Sequence, residues 1–198
     1  ASASDVVVMV MGEFHNMSGE NNSRTNLSLP GVQADLLKAI KKTGKPVVLV
    51  LMNGRPLTIN WEKDNLDAIL EAWFPGTMGG AAIADVLTGK YNPSGKLTMT
   101  FPQNVGQIPL FYNHKNTGRP YDPNVAQFAY GSRYWDVSNE PLYPFGYGLS
   151  YTTFTYSDLT LASKDITKDS PLKVSVKLTN SGGYDGEEVV QLYTRDLV

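Results

Sequence analysis

Two carboxylates, Glu13 and Glu20, stand in one polar stretch, Gly12 to Leu29, together with His15, Arg24 and several amides. A glutamic acid that holds its proton until it meets a leaving oxygen can act as a general acid, which requires mobility or partial removal from water. Glu20, between Gly19 and Asn21, is placed to swing. The competing reading is a solvated loop carboxylate. Glu13 reads as a structural acceptor for loop amides, His15 as a hydrogen-bonding loop group, and Arg24 as a loop anchor rather than an oxyanion clamp. Asn16, Asn21 and Asn26 each open an Asn-x-Ser triplet, the glycosylation acceptor pattern. Clustered in one loop, the three triplets read as a polar, turn-rich or sugar-binding composition.

The elements around this stretch decide where it sits. Val6 to Val10 and Val47 to Leu51 are short β-branched runs bounded by turn residues, the pattern of parallel strands buried on both faces. Ligands of open α/β sheets collect at the carboxyl ends of the strands, and Gly12 to Leu29 follows the first strand directly. Pro30 to Lys42 predicts a helix, with Pro30 at its first position, Val32, Leu36, Leu37 and Ile40 at helical spacing, and Gly44 as the stop. Ala68 to Trp73 predicts a strand, Met78 to Leu87 a helix, and Leu97 to Phe101 a last strand ended by Pro102. Residues 1–102 are therefore expected to form a parallel-rich α/β sheet with flanking helices. Gly76-Thr77-Met78-Gly79-Gly80 could cradle a phosphate, but it lacks both the P-loop ending and the dinucleotide spacing, so it reads as close strand–helix packing.

From 103 to 151 the texture turns to aromatic, Pro, Gly and Asn residues, read as an ordered surface segment with a functional role. Its Tyr121, Tyr130, Tyr134 and Trp135 either pack the segment down or stack on sugars. Beyond it, Leu172, Val174, Val176 and Leu178 alternate with polar residues as in a half-buried antiparallel strand, and Val189 to Thr194 reads as another. An immunoglobulin-like sandwich takes about 7 strands and about 100 residues, so residues 152–198 are expected to be the start of a truncated β-sandwich.

Composition narrows the function classes. A net charge of −2, with 17 Lys and Arg scattered singly against 19 Asp and Glu, argues against a surface for nucleic acid or anionic lipid. The absence of cysteine and the presence of two separated histidines leave no expected disulfide, metal site or cofactor. No run approaches the roughly 20 apolar residues of a membrane span, and the first residues lack signal-peptide character. Asp5 leads straight into the buried-type run Val6 to Met11, as expected of a chain that begins inside a longer protein.

The ordered series GE-(x)6-E-(x)3-RT, VVLVLMNGRPL, AWFPGTMGGAAIADVLTGKYNPSGKLTMTFP, NTGRPY and LYPFGYGLSYTTF resembles the family 3 glycoside hydrolases, especially periplasmic β-glucosidases, nearly end to end. The resemblance implies a retaining enzyme with a (β/α)8 barrel bearing an Asp nucleophile, an α/β sandwich bearing the Glu acid/base, and a fibronectin type III-like domain. This chain matches only the later part of the sandwich, a linker and the start of the third domain. Carried over by position, Glu20, in Ser18-Gly19-Glu20, takes the acid/base place. Glu13 and Ser18 fall where the loop is supported, while Arg24 and the segment Asn116 to Tyr121, with Arg119 and Tyr121, fall near the leaving-group side. The implied partners are a β-glucoside or oligosaccharide, the barrel domain, and a second copy meeting exposed edges; the implied location is periplasmic or secreted. A non-catalytic carbohydrate-binding or assembly module is the alternative. A nucleotide-binding domain is disfavoured by the absent phosphate motif.

Overall fold

The computed structural model describes residues 1–115, 117–122, 124–125, 130–165 and 167–195. They divide into two compact units, residues 1–80 with 97–147, and residues 81–96 with 148–198.

The first unit is built on a parallel sheet of three strands, β1 (Val7–Gly12), β2 (Val47–Met52) and β3 (Ala68–Glu71), in the order β1-β2-β3. The central β2 has the most continuous apolar run, and Val47, Leu49, Val50 and Leu51 are fully buried. Each such side chain contributes about 1.5–3 kcal/mol by leaving water. Around them gather Leu29, Leu37, Leu57, Ile59, Phe101 and Leu142. The register pairs Gly12 with Met52 and Leu51 with Glu71, so all three strands end at one edge. That shared edge is what positions the loop after β1.

Helix α1 (Gln33–Lys41) starts three residues later than Pro30 suggested. Of the four residues expected on its apolar face, Leu37 and Ile40 face the core, joined by Ala34, whereas Val32 and Leu36 are 76% and 47% exposed. The cause is Gln33, whose side chain accepts from the Gly12 N–H at 2.8 Å and donates to the Gly12 carbonyl at 2.9 Å. This double tie fixes the rotation of the helix. At its other end Lys41 donates to Asp67 at 2.7 Å, and Asp67 also caps the Val47 N–H at 2.8 Å.

Helix α2 (Asn60–Asn65) was not expected, because Asn-Trp-Glu-Lys-Asp-Asn carries no apolar period. Conversely, Leu97 to Phe101 is not a strand of the parallel sheet. It runs antiparallel to 142–147 through bonds at Leu97 with Tyr147 and Gly146, and at Phe101 with Tyr143 and Leu142. Pro144 interrupts that pairing, since proline has no N–H to donate.

The helix expected over Met78 to Leu87 is α3 (Gly79–Leu87). In the second unit, β4 (Phe154–Leu161) pairs antiparallel with β5 (Val174–Asn180), with an irregularity between Ser157 and Thr160. Val176 and Leu178 keep 37% exposure each, so the alternation correctly marked a strand while its apolar face lacks the expected cover. Val189 to Thr194, read as a further strand, joins no ladder among the described residues. Just before it, Glu188 is held by Lys96 at 3.0 Å and by the Tyr156 hydroxyl at 3.1 Å. Side-chain anchoring fixes that segment in place of strand pairing.

Candidate active site

Gly12 closes β1 at φ +139, and a Cβ there would overlap the Met52 carbonyl of the neighbouring strand. Only glycine allows the chain to leave the sheet so close to β2. The next residue, Glu13, donates its backbone N–H to the same carbonyl at 2.8 Å. Its side chain is 0% exposed and accepts from Arg24 Nη1 at 2.8 Å and from the Gly54 N–H at 3.1 Å, while Arg55 Nε lies 3.1 Å from Oε1. A carboxylate so enclosed is tolerated only because charged and polar donors surround it. Glu13 thus fastens the start of the loop, its return through Arg24, and the end of β2.

The loop continues through a 3-10 turn at His15–Met17, where the His15 ring lies 4.1 Å from that of Phe14. Arg55 donates to the Met17 carbonyl, and Ser18 Oγ reaches the Gly54 carbonyl at 3.4 Å. Then the chain turns sharply, with Gly19 at φ +114 and Asn21 at φ +61. Glu20 sits between them, exposed, and its own carbonyl accepts from Asn22 Nδ2 at 3.0 Å. Asn is among the few residues with a side chain that adopt the left-handed conformation readily. On the return, Arg24 Nη2 donates to the Ser28 carbonyl at 3.1 Å.

Beneath the loop lie the ends of β2 and β3. Asn53 is fully buried and its Nδ2 donates to the Arg55 carbonyl at 2.7 Å. Glu71 Oε1 accepts from the Trp73 N–H at 2.8 Å, which helps hold Trp73 at φ +50, an unusual value for a bulky side chain. Burial pushes the Glu71 carboxyl up to about 7, opposed in part by the Trp73 amide and the neighbouring Asn53 side chain. Two oxygens here, Asn53 Oδ1 and Glu71 Oε2, are buried without a hydrogen-bond partner.

Glu13, Ser18, Glu20 and Arg24 therefore share one loop. Arg119 and Tyr121 belong to a different segment, and among the described residues no hydrogen bond or ring contact joins it to that loop. Arg119 is exposed, with its guanidinium 5.7 Å from the Tyr130 ring and its carbonyl accepting from the Ser132 N–H at 2.8 Å. The Arg133 guanidinium lies 5.5 Å from the Tyr121 ring and 4.4 Å from that of Trp135. Tyr121, Arg133, Tyr134 and Trp135 line part of an open cavity of about 830 Å³. Asn116 lies outside the described residues. Sequence reasoning missed Gln33, Asn53, Arg55 and Glu71. The signal that could have found three of them was position, since Asn53, Arg55 and Glu71 stand at the carboxyl ends of β2 and β3.

A family model described as the glycosyl hydrolase family 3 C-terminal domain matches residues 1–151. The chain belongs to that family. Among family 3 relatives, a periplasmic beta-glucosidase of Salmonella typhimurium is 57% identical over 197 residues, covering 100% of this chain and 26% of its own length. A beta-xylosidase of Formosa agariphila is 46% identical, over 99% of this chain and 26% of its own. Of solved structures, the beta-glucosidase of Listeria innocua in complex with glucose superposes with a TM-score of 0.87 at 46% identity, covering 91% of this chain and 25% of that one. This family 3 chain spans about a quarter of the length of the curated relatives it matches. Among the described residues, no helix is long and apolar enough to cross a membrane.

Proposed function

We propose that this chain supplies the general acid/base of a retaining β-glucosidase, with Glu20 as that group and the Asp nucleophile on a (β/α)8 barrel outside the chain. The observation that carries the reading is the contrast between the two loop glutamates. Glu13 is enclosed by Arg24, Arg55 and the Gly54 amide, whereas Glu20 stands exposed on a turn bracketed by two left-handed residues. A proton donor must reach a substrate; a clasp must not.

A retaining mechanism needs two carboxyl groups about 5–5.5 Å apart. In the first half-reaction the nucleophile attacks the anomeric carbon while Glu20 gives its proton to the departing glycosidic oxygen. In the second, Glu20, now a carboxylate, takes a proton from the water that releases the sugar. Arg24 and Ser18 support the loop, and Arg119 and Tyr121 contact the leaving group. Residues 1–102 act as the α/β sandwich portion, 103–151 as a linker lying against it, and 152–198 as the start of a fibronectin type III-like domain. The relative named as a periplasmic enzyme supports a periplasmic or secreted location for the whole protein. Exposed Val8 and Val10 on β1, with Val6 just before it, support covering by another domain or a second copy.

The test is Glu20→Ala in the complete enzyme. Hydrolysis of glucosides with poor leaving groups should collapse, good leaving groups should lose less in the first step, and azide should restore turnover by replacing base-activated water. Equal losses on both substrate classes without azide rescue remove Glu20 from the role. The cavity bordered by Tyr121, Tyr134 and Trp135 supports a second reading, a carbohydrate-binding module. Calorimetric titration of the chain with glucose and laminaribiose tests it, and heat from either sugar that Trp135→Ala abolishes would favour it.

A further inference from the structure

There is no room for a side chain at residue 54, between the end of β2 and the loop above it. A Cβ on Gly54 would overlap Ser18 Oγ, lie 2.5 Å from Ser18 Cβ and lie 2.8 Å from Phe74 Cε2. Its φ is not positive, so space and not backbone conformation calls for glycine here. Ser18 comes down onto bare main chain, and its Oγ reaches the Gly54 carbonyl at 3.4 Å. Gly54 itself is held in place. Its N–H donates to Glu13 Oε2 at 3.1 Å, the buried Asn53 before it donates to the Arg55 carbonyl at 2.7 Å, and the Arg55 side chain after it grips Glu13 and the Met17 carbonyl. Of the two neighbours, Phe74 can turn aside, because it is 43% exposed and Cε2 lies at the far edge of its ring. Ser18 Cβ is bonded directly to the main chain of the loop, and no side-chain rotation shifts it. A methyl group at residue 54 must therefore lift the loop.

We propose that Gly54 is a positioning residue for the loop that carries Glu20: its missing side chain is the seat on which Ser18 rests, and that seating aims Glu20 at the leaving group. The turn beyond Ser18 transmits the effect. The Asn22 N–H donates to the Gly19 carbonyl at 3.1 Å and Asn22 Nδ2 to the Glu20 carbonyl at 3.0 Å, so the turn moves as one piece when Ser18 moves. The shift can be sized. Two carbons in ordinary contact stand about 3.5 Å apart, so a Cβ that would lie 2.5 Å from Ser18 Cβ displaces it by about 1 Å. A misplacement of about 1 Å in a reacting group can lower the rate about 100-fold. The loss should also be selective. A poor leaving group departs only with proton assistance, whereas an activated one needs little. A residue that merely stabilised the fold would affect both alike. The link to catalysis rests on the reading of Glu20 above, but the seating of the loop does not.

The test sets Gly54→Ala against the same change with the obstacle removed. In the complete enzyme, G54A should lower kcat/KM about 100-fold for an alkyl glucoside and less than about tenfold for an activated aryl glucoside. Ser18→Gly takes away both atoms of Ser18 that the new methyl group would strike. Adding it to G54A should return kcat/KM on both substrates to the level of Ser18→Gly alone, a non-additivity expected only of residues in direct contact. The seating itself is read in the 198-residue chain, where amide hydrogen exchange at residues 17–22 should speed about tenfold in G54A and slow again in the double variant. If G54A does not fold, a double variant with the circular dichroism of the unsubstituted chain supports the seat, and a double variant that also fails to fold overturns it. Equal losses on both substrate classes, additive losses in the double variant, or unchanged exchange in G54A each overturn the proposal. Failure of the Glu20 assignment would appear instead as a Glu20→Ala enzyme with intact turnover, which overturns the link to catalysis and leaves the exchange results and their reversal by Ser18→Gly in place.

Discussion

Replacing Glu13 by alanine should unfasten the loop and cost about 3 kcal/mol of stability. The figure follows from what the carboxylate holds. Breaking a buried pair by removing one partner costs about 3–5 kcal/mol, because the other charge is left without compensation. Here two guanidiniums would be stranded, but Arg24 and Arg55 keep 17% and 21% side-chain exposure, so water recovers part of the loss. Each also keeps a backbone acceptor, Ser28 for Arg24 and Met17 for Arg55. The Gly54 N–H loses its partner outright, which adds about 1 kcal/mol. The lower end of the range is therefore expected. Urea unfolding of the chain, with Lys90→Ala at the exposed Lys90–Asp85 pair as a control costing under about 1 kcal/mol, measures it directly. A Glu13→Ala chain within about 1 kcal/mol of the unsubstituted one would refute the idea that this carboxylate is the clasp.

Gly12→Ala should fail to give a stable fold, because its Cβ would overlap the Met52 carbonyl at φ +139, whereas Gly80→Ala, with open space around it and no positive φ, should fold; circular dichroism separates the two. The Glu71 carboxyl, raised from 4.5 to about 7 by burial, binds its proton more tightly in the folded chain than in the unfolded one. Its contribution is complete below pH 4.5 and is lost as pH rises through about 7, up to about 3 kcal/mol, and the fall in urea midpoint should be absent from Glu71→Gln. Sedimentation of the chain should reveal association driven by exposed Val8 and Val10 of β1 and by Val6 just before it, and a monomer at all concentrations would show that these residues need no cover.

The three parallel strands were legible in the sequence because β-branched runs bounded by turn residues have few other uses in a globular chain. The placement of the loop at their carboxyl edge followed from them. What could not be read was the consequence of register. Gly12 meets Met52 and Leu51 meets Glu71, so Asn53, Arg55 and Glu71 gather under a loop more than twenty residues away from each of them. No local pattern in Met-Asn-Gly-Arg announces that. The face of α1 was read only in part for a similar reason, since Gln33 is set by a tie to Gly12 and periodicity placed Val32 and Leu36 beside Leu37 and Ile40, of which only the last two face the core. Residues 97–101 have the composition of a strand, and the proline at 144 in their partner decided otherwise.

The tie between Glu13 and Arg24 gives the loop the character of an exchangeable cassette. The intervening residues begin and end at two points that are bonded to each other at 2.8 Å. The entropy of closing such a loop grows only slowly with its length, so the segment between the clasp residues can lengthen, shorten or change composition at modest cost to the scaffold. Grafts that keep Glu13, Arg24 and Arg55 should transplant a foreign tip onto the same base without rebuilding the strands beneath it.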